Sequence, residues 1–207
     1  MFEELGLNVL FTPDDKFQLP DPIQVNYWKL RKDRIFSIDY ELEDDYKCIE
    51  LAKLIYQMNV EEQDVPVDEL KPITLLIFSY GGDLSQATAL CDVIEASRIP
   101  VITVCMGVAM SAGLLIFLAG KRRYALKQSN LLVHTGSAAF EGTSQQIEEA
   151  QKNYKKTLDK MKDYIVSHTK IDEKLFNRNK SKDWYIEGKE IESLGIATVI
   201  NSFSEIV

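Results

Sequence analysis

Histidine and cysteine are scarce in this chain, with two and three residues among 207. Cys48, Cys91 and Cys105 are odd in number and far apart, so they build neither a zinc-ligand spacing nor a disulfide framework. A reducing compartment, the cytoplasm, is the expectation. Cys91 and Cys105 stand in apolar surroundings and read as small core residues. Positive charge is also short: 24 Lys and Arg against 32 Asp and Glu leave a net charge of −8. That balance argues against broad binding to nucleic-acid phosphates. No G-x-x-x-x-G-K-[ST] loop is present, so the chain brings no nucleotide-phosphate cradle of its own. Internal repeats and low-complexity segments are missing. The opening residues, MFEELGLNVLF, lack the basic region of a secretory signal. No cofactor and no metal is implied.

What the chain does have is an ordinary globular composition, 45% hydrophobic and 27% charged, in a length that suits one domain. It also has one long uncharged run, Ile99 to Gly120, bounded by Arg98 and by Lys121-Arg122-Arg123. A membrane helix needs about 20 apolar residues, which this run reaches. Its internal order points elsewhere. Val101 to Val104 is a β-branched strand signal, Gly107 breaks the run, and Met110 to Leu118 resumes with helix formers. Strand, glycine turn and helix is the expected parse, with no membrane span.

Around this run strands and helices alternate. Residues 1–33 hold three of the six prolines and read as an irregular N-terminal arm, with a short helix at Phe2 to Leu10. A strand is expected at Arg34 to Tyr40. Asp44 or Asp45 then caps a helix with Cys48, Leu51, Ala52, Ile55 and Met58 on one face. Val60 to Lys71 is an acidic loop. A buried strand at Ile73 to Phe78 ends in Ser79-Tyr80-Gly81-Gly82-Asp83, and a helix covers Leu84 to Ala96. Another apolar strand covers Leu131 to His134. The longest helix starts near Ser144 and repeats Ile147, Ala150, Tyr154, Leu158, Met161 and Ile165 at helical spacing. A short element at Asp172 to Phe176, a helix at Gly188 to Leu194 stopped by Gly195, and a strand at Ile196 to Ile200 follow. This alternation predicts an α/β domain over 34–207 with a largely parallel sheet.

In such sheets, sites form at the carboxyl ends of strands. Three ends carry unusual residues: Gly81-Gly82, then Gly107 with Ser111, then His134. Ser111 lies among Ala109, Ala112 and Gly113, which leaves room for another molecule to reach its hydroxyl. A helix N-cap is the plain reading of such a serine, a turn that of the glycine pair, and a core position that of His134. Together they make a candidate nucleophile, base and oxyanion hole, since glycines let backbone N–H groups face a carbonyl at close range. The other histidine, His168, is placed by the dipole at the end of the long helix. Periodicity does not choose an acid for His134 among 32 carboxylates.

From Arg34 to Ser202 the chain resembles the proteolytic subunit of Clp protease. The resemblance rests on RIFSIDYELEDD, the Gly81-Gly82 turn, Gly107-Val108-Ala109-Met110-Ser111-Ala112-Gly113, Lys121-Arg122-Arg123-Tyr124, and the Leu-Leu-Val-His strand with its long helix. It implies a Clp-protease/crotonase-like α/β fold with flanking helices and a projecting handle over about 135–182. The stretch from His134 to Gly195 lies against the family pattern without gaps, which puts the family's aspartate on Asp183. A Ser111-His134-Asp183 endopeptidase is implied, with oxyanion donors from Gly82, Asp83 and Ala112. Also implied are a ring, stacked into a double ring, an AAA+ ATPase unfoldase as partner, and polypeptide substrates.

The departures mark a divergent branch. Tyr80 stands for a proline, Ala112 for a methionine, Thr135-Gly136 for Gln-Pro, and Ser181-Lys182 for an acid-arginine pair that joins rings. Residues 1–33 match poorly. Rival readings are a crotonase-type acyl-CoA enzyme, which does not need this Ser-His pair, and a catalytically silent ring subunit, which usually lacks a triad member. A membrane-bound peptidase of the same superfamily would need a hydrophobic anchor.

Overall fold

The computed structural model describes residues 21–43, 46–136 and 138–206. These residues form one seven-stranded sheet in which β1 (Ile35–Ile38), β2 (Ile73–Ser79), β3 (Val101–Met110), β4 (Arg122–Leu126) and β7 (Thr198–Ile200) follow in that order, all parallel. Two further strands leave this path. β5 (Asn130–Val133) runs parallel to the second half of β3, and β6 (Trp184–Glu187) pairs antiparallel with β5. β3 is therefore forked: Ile102 to Cys105 pair with β4, whereas Val108 to Met110 pair with β5.

Helices α2 (Lys47–Glu61), α3 (Leu84–Ala96) and α4 (Ala112–Ala119) pack over the main core. α2 buries Cys48, Leu51, Ala52 and Ile55, the face its spacing predicts. All eight residues of α4 are buried, as befits a helix that is apolar all round and lies between the sheet and its helical neighbours. Thr103 Oγ1 ties β3 to α4 by donating to Phe117 O at 2.7 Å. Side chains alternate along β3, so Val101 and Cys105 join this core while Ile102 and Val104 turn to the other face. That second face holds only a small cluster with Tyr124 and Ile200, and leaves Phe78 45% and Met106 36% exposed.

α5 (Ser144–His168) opens on a capping box, with Thr143 accepting from Gln146 N–H and the Gln146 side chain accepting from Thr143 N–H. Its 25 residues span about 37 Å. Only Met161 and Ile165 of its stripe are buried; Ile147, Ala150 and Tyr154 stay half-buried. α6 (Glu173–Asn179) and α7 (Lys189–Ser193) complete the chain, with Gly195 at φ +65° as the expected stop.

Several expectations need correction. Part of the irregular arm is helical: α1 (Pro22–Lys32) starts on Asp21, whose side chain accepts from Ile23 N–H at 2.9 Å, with Pro22 in the first turn. A proline read as a helix breaker is here a helix opener, because its missing N–H would have had no partner. The helix at Phe2 to Leu10, and Asp44 and Asp45, fall outside the described residues; α2 begins after Tyr46, at φ 54° and without a side-chain cap. α2 continues into the acidic stretch as far as Glu61. Gly107, at φ +144°, does not end β3; the strand shifts register there and continues to Met110. β4 and β6 are additional strands. Among the described residues, no helix is long and apolar enough to cross a membrane.

Arg123 on β4 gathers helix ends. Its guanidinium donates to Leu118 O at 3.0 Å, His168 O at 2.9 Å and Gly195 O at 3.2 Å, at the C-terminal ends of α4, α5 and α7. The Leu118 and His168 carbonyls are ones that a helix leaves without partners, at the negative end of its dipole, and Gly195 follows just past the end of α7. Arg123→Ala should therefore cost about 2–4 kcal/mol of stability, read as a lower urea midpoint at unchanged slope.

Candidate active site

Three strand ends meet at one place because of the register of the sheet. Met110 pairs with Leu132, so the next residues, Ser111 and Val133, are neighbours across β3 and β5. Val133 pairs with Trp184 in the antiparallel ladder, so the next residues, His134 and Asp183, face each other across β5 and β6. Ser111 stands at the turn from β3 into α4 with φ 53° and ψ −124°. Such a backbone is strained for a residue with a side chain, and it is held by Ser111 N–H donating to Leu132 O at 3.0 Å. The hydroxyl makes no cap bond to α4; it lies 2.7 Å from His134 Nε2. His134 Nδ1 is 3.6 Å from Asp183 Oδ1, and the Asp183 side chain is 60% exposed. That distance is an ion-pair spacing, too long for a hydrogen bond.

The glycine pair lies directly against this turn. A Cβ on Gly81, at φ +103°, would come within 2.7 Å of Met110 O, 2.8 Å of Ser111 Cβ and 3.0 Å of Ala112 N. A Cβ on Gly82, at φ +136°, would be 2.2 Å from Leu42 O. Both the space and the backbone angles admit only glycine. Beneath them Ser79, 1% exposed, donates to Tyr40 O at 2.7 Å and accepts from Gly81 N–H at 3.2 Å. Gly113 closes in on the same serine, since a Cβ there would be 3.2 Å from Ser79 O.

Among the expected oxyanion donors, the N–H groups of Gly82 and Ala112 have no acceptor among the described residues. Ala112 is the first residue of α4, where helical N–H groups lack an internal partner and the dipole favours negative charge. Asp83 is corrected. Its N–H donates to Leu42 O at 2.7 Å and its carboxylate caps α3 through Gln86 N–H at 2.8 Å, so it braces the turn and does not face a substrate. The Leu42 backbone, which also donates to Gly81 O at 2.8 Å, escaped sequence reasoning because its role involves no side chain.

The thiols offer no rival nucleophile. Burial pushes Cys91 up to about 12 and raises Cys105 as well, which keeps both as unreactive thiols. Among the described residues, no group of three or more His, Cys, Asp or Glu side chains converges on a metal site. A groove of about 380 Å³ between α3, α4 and α5 is lined by Leu84, Asp92, Leu115, Lys160 and Met161, and none of Ser111, His134 and Asp183 lines it.

The sequence profile of the Clp protease family matches residues 23–202. The ATP-dependent Clp protease proteolytic subunit of Deinococcus radiodurans is 27% identical over 172 residues, covering 82% of this chain and 81% of that protein.

The glycine turn can be tested alone. Gly82→Ala forces a Cβ onto Leu42 O and should move the Gly82 N–H away from Ser111. Loss of an oxyanion donor, the role expected of this N–H, costs on the order of a hundredfold or more in rate. Labelling of Ser111 by a fluorophosphonate should slow by that factor while thermal unfolding stays cooperative.

Proposed function

The chain belongs to the Clp protease family, and from that premise we propose that it is a serine endopeptidase of a ring-forming, compartmentalised Clp-type protease. The observation that carries the reading is the 2.7 Å contact between Ser111 Oγ and His134 Nε2 at a strained strand-to-helix turn. In the proposed reaction His134 takes the Ser111 proton as the hydroxyl attacks a peptide carbonyl. The oxyanion is received by the N–H groups of Gly82 and Ala112. His134 then protonates the departing amine, and water entering by the same route releases the acyl group from Ser111. Asp183 holds the imidazole through Nδ1, which requires its carboxylate to close by less than an ångström into hydrogen-bond range.

Assembly belongs to the same proposal. The half-buried stripe at Ile147, Ala150 and Tyr154 and the open sheet face at Phe78 and Met106 are apolar surfaces that a neighbouring subunit would cover. We assign 34–207 to the peptidase domain with its handle over about 135–182, and 1–33 to an N-terminal arm. Energy for unfolding would come from a separate AAA+ ATPase, in keeping with the name of the relative and with a chain that has no phosphate-binding loop. Three buried cysteines that form no disulfide agree with a cytoplasmic location. A catalytically silent ring subunit is the second reading, and the exposed, distant Asp183 is the observation that favours it.

Ser111→Ala should abolish fluorophosphonate labelling and lower peptide hydrolysis on the order of a millionfold; His134→Ala should match it, and the double variant should add little. Wild-type protein that takes no label supports the silent subunit. Asp183→Asn with full activity would place the acid elsewhere.

Light scattering after size exclusion should give a particle many times the 23.6 kDa chain. Ser181-Lys182 lacks the charged fork of an acid-arginine pair, so double rings should part into single rings as salt rises. A stable monomer at micromolar concentration would refute assembly.

A further inference from the structure

We propose that Tyr154, on the half-bare part of α5, is a positioning residue that holds the His134 loop in its working place. The inference rests on the peptidase reading above. Its hydroxyl donates to Thr135 O at 3.0 Å, the carbonyl of the residue that follows His134. The same hydroxyl crowds Gly136, where a Cβ would be only 3.2 Å away and where φ is +69°. The Tyr154 ring lies edge-on to Phe140, with centroids 5.8 Å apart. Thr135 is held from a second side, since its hydroxyl donates to Lys180 O at 3.3 Å, three residues before Asp183.

Between Val133, where β5 ends, and Thr143, which caps α5, the described residues form no regular structure. No ladder therefore fixes the imidazole after β5, and the Tyr154 bond falls on the very next residue. Tyr154 is tied to α5 rather than to the core, so displacement of α5 moves the Thr135 carbonyl and with it His134. The helix thereby controls proton transfer from Ser111 without touching a reacting atom. Thr135-Gly136 makes this contact possible: glycine supplies the positive φ that turns the carbonyl toward the tyrosine, and leaves space for its hydroxyl.

Tyr154→Phe removes the hydroxyl and keeps the ring against Phe140, so it separates positioning from packing. Phe140→Leu serves as the packing control. In the full-length protein we expect Tyr154→Phe to slow fluorophosphonate labelling of Ser111 about fivefold, the worth of one ordinary hydrogen bond. The kcat for a fluorogenic peptide should fall by the same factor with KM unchanged, and the particle size and unfolding midpoint should hold. Phe140→Leu should stay within about twofold of wild type in labelling. The inference alone is overturned if wild type is labelled at Ser111 and Tyr154→Phe is labelled as fast. It is also overturned if the loss appears in KM only, or if Phe140→Leu reproduces it. Wild type that takes no label overturns the peptidase reading and this inference together.

Discussion

Two backbones crossing without room for a side chain are what the rest of the site depends on. Gly81 passes the Met110-Ser111-Ala112 turn so closely that a methyl group would overlap a carbonyl oxygen, a Cβ and an amide nitrogen. Gly82 passes Leu42 more closely still. The turn from β3 into α4 must therefore be tight, and Ser111 takes the positive φ this requires. Strain of about 1–3 kcal/mol is typical of such a residue. It persists because the surroundings over-determine it: Leu132 O holds the Ser111 N–H, Ser79 holds the glycine turn, and Leu42 clamps both sides of Gly82. The crossing also leaves two N–H groups free beside a hydroxyl that no longer caps its helix.

The fork in β3 converts this turn into a constellation. Had β3 kept β4 as its neighbour to the end, Ser111 would lie beside a strand that carries no histidine. Instead β4 stops accompanying it at Cys105, the strand shifts register past Gly107, and β5 takes over at Val108. Ser111 and His134 then come from adjacent parallel strands, and Asp183 from the one antiparallel partner. Strand pairing is a stiff way to bring three side chains together, because sliding one strand by one residue would turn its side chains to the opposite face. Parallel order also explains why residues so distant in sequence share one end of the sheet.

Much of this was legible in the sequence where local chemistry and packing agree. α3 covers Leu84–Ala96, where its apolar face puts it, and the apolar runs of β2 and β3 are strands. The expectation failed where one residue type serves two purposes. Pro22 opens a helix rather than an irregular arm. Gly107 permits a register shift inside a strand, which looks the same in sequence as a break between elements. β4 opens on Arg122-Arg123, and the second arginine reads as solvated although its charge is consumed by three helix ends. β6 alternates Trp184 in, Tyr185 out, Ile186 in and Glu187 out, but four residues give too short a period to separate from a loop. Asp83 has an ordinary capping role that hid the commitment of its own N–H.

Asp183 is the least fixed of the three side chains, and the reason lies in what surrounds it. Ser111 sits between a paired strand and a buried helix, and His134 follows directly on β5 with the next carbonyl held by Tyr154. Asp183 sits at the last position before β6, with its side chain largely in water and Ser181-Lys182 exposed beside it. An exposed carboxylate keeps its hydration unless something excludes the solvent, and it gains little from an imidazole 3.6 Å away. The half-buried part of α5 is joined to Thr135 through Tyr154. Covering that helix would dry the Thr135 to Asp183 region and tighten both supports of the imidazole at once. On the proposed reading, activity and assembly are then one equilibrium: a subunit packed against its neighbour closes the acid onto the histidine, and a free one leaves it open. Such coupling would keep a peptidase idle until its active sites are enclosed.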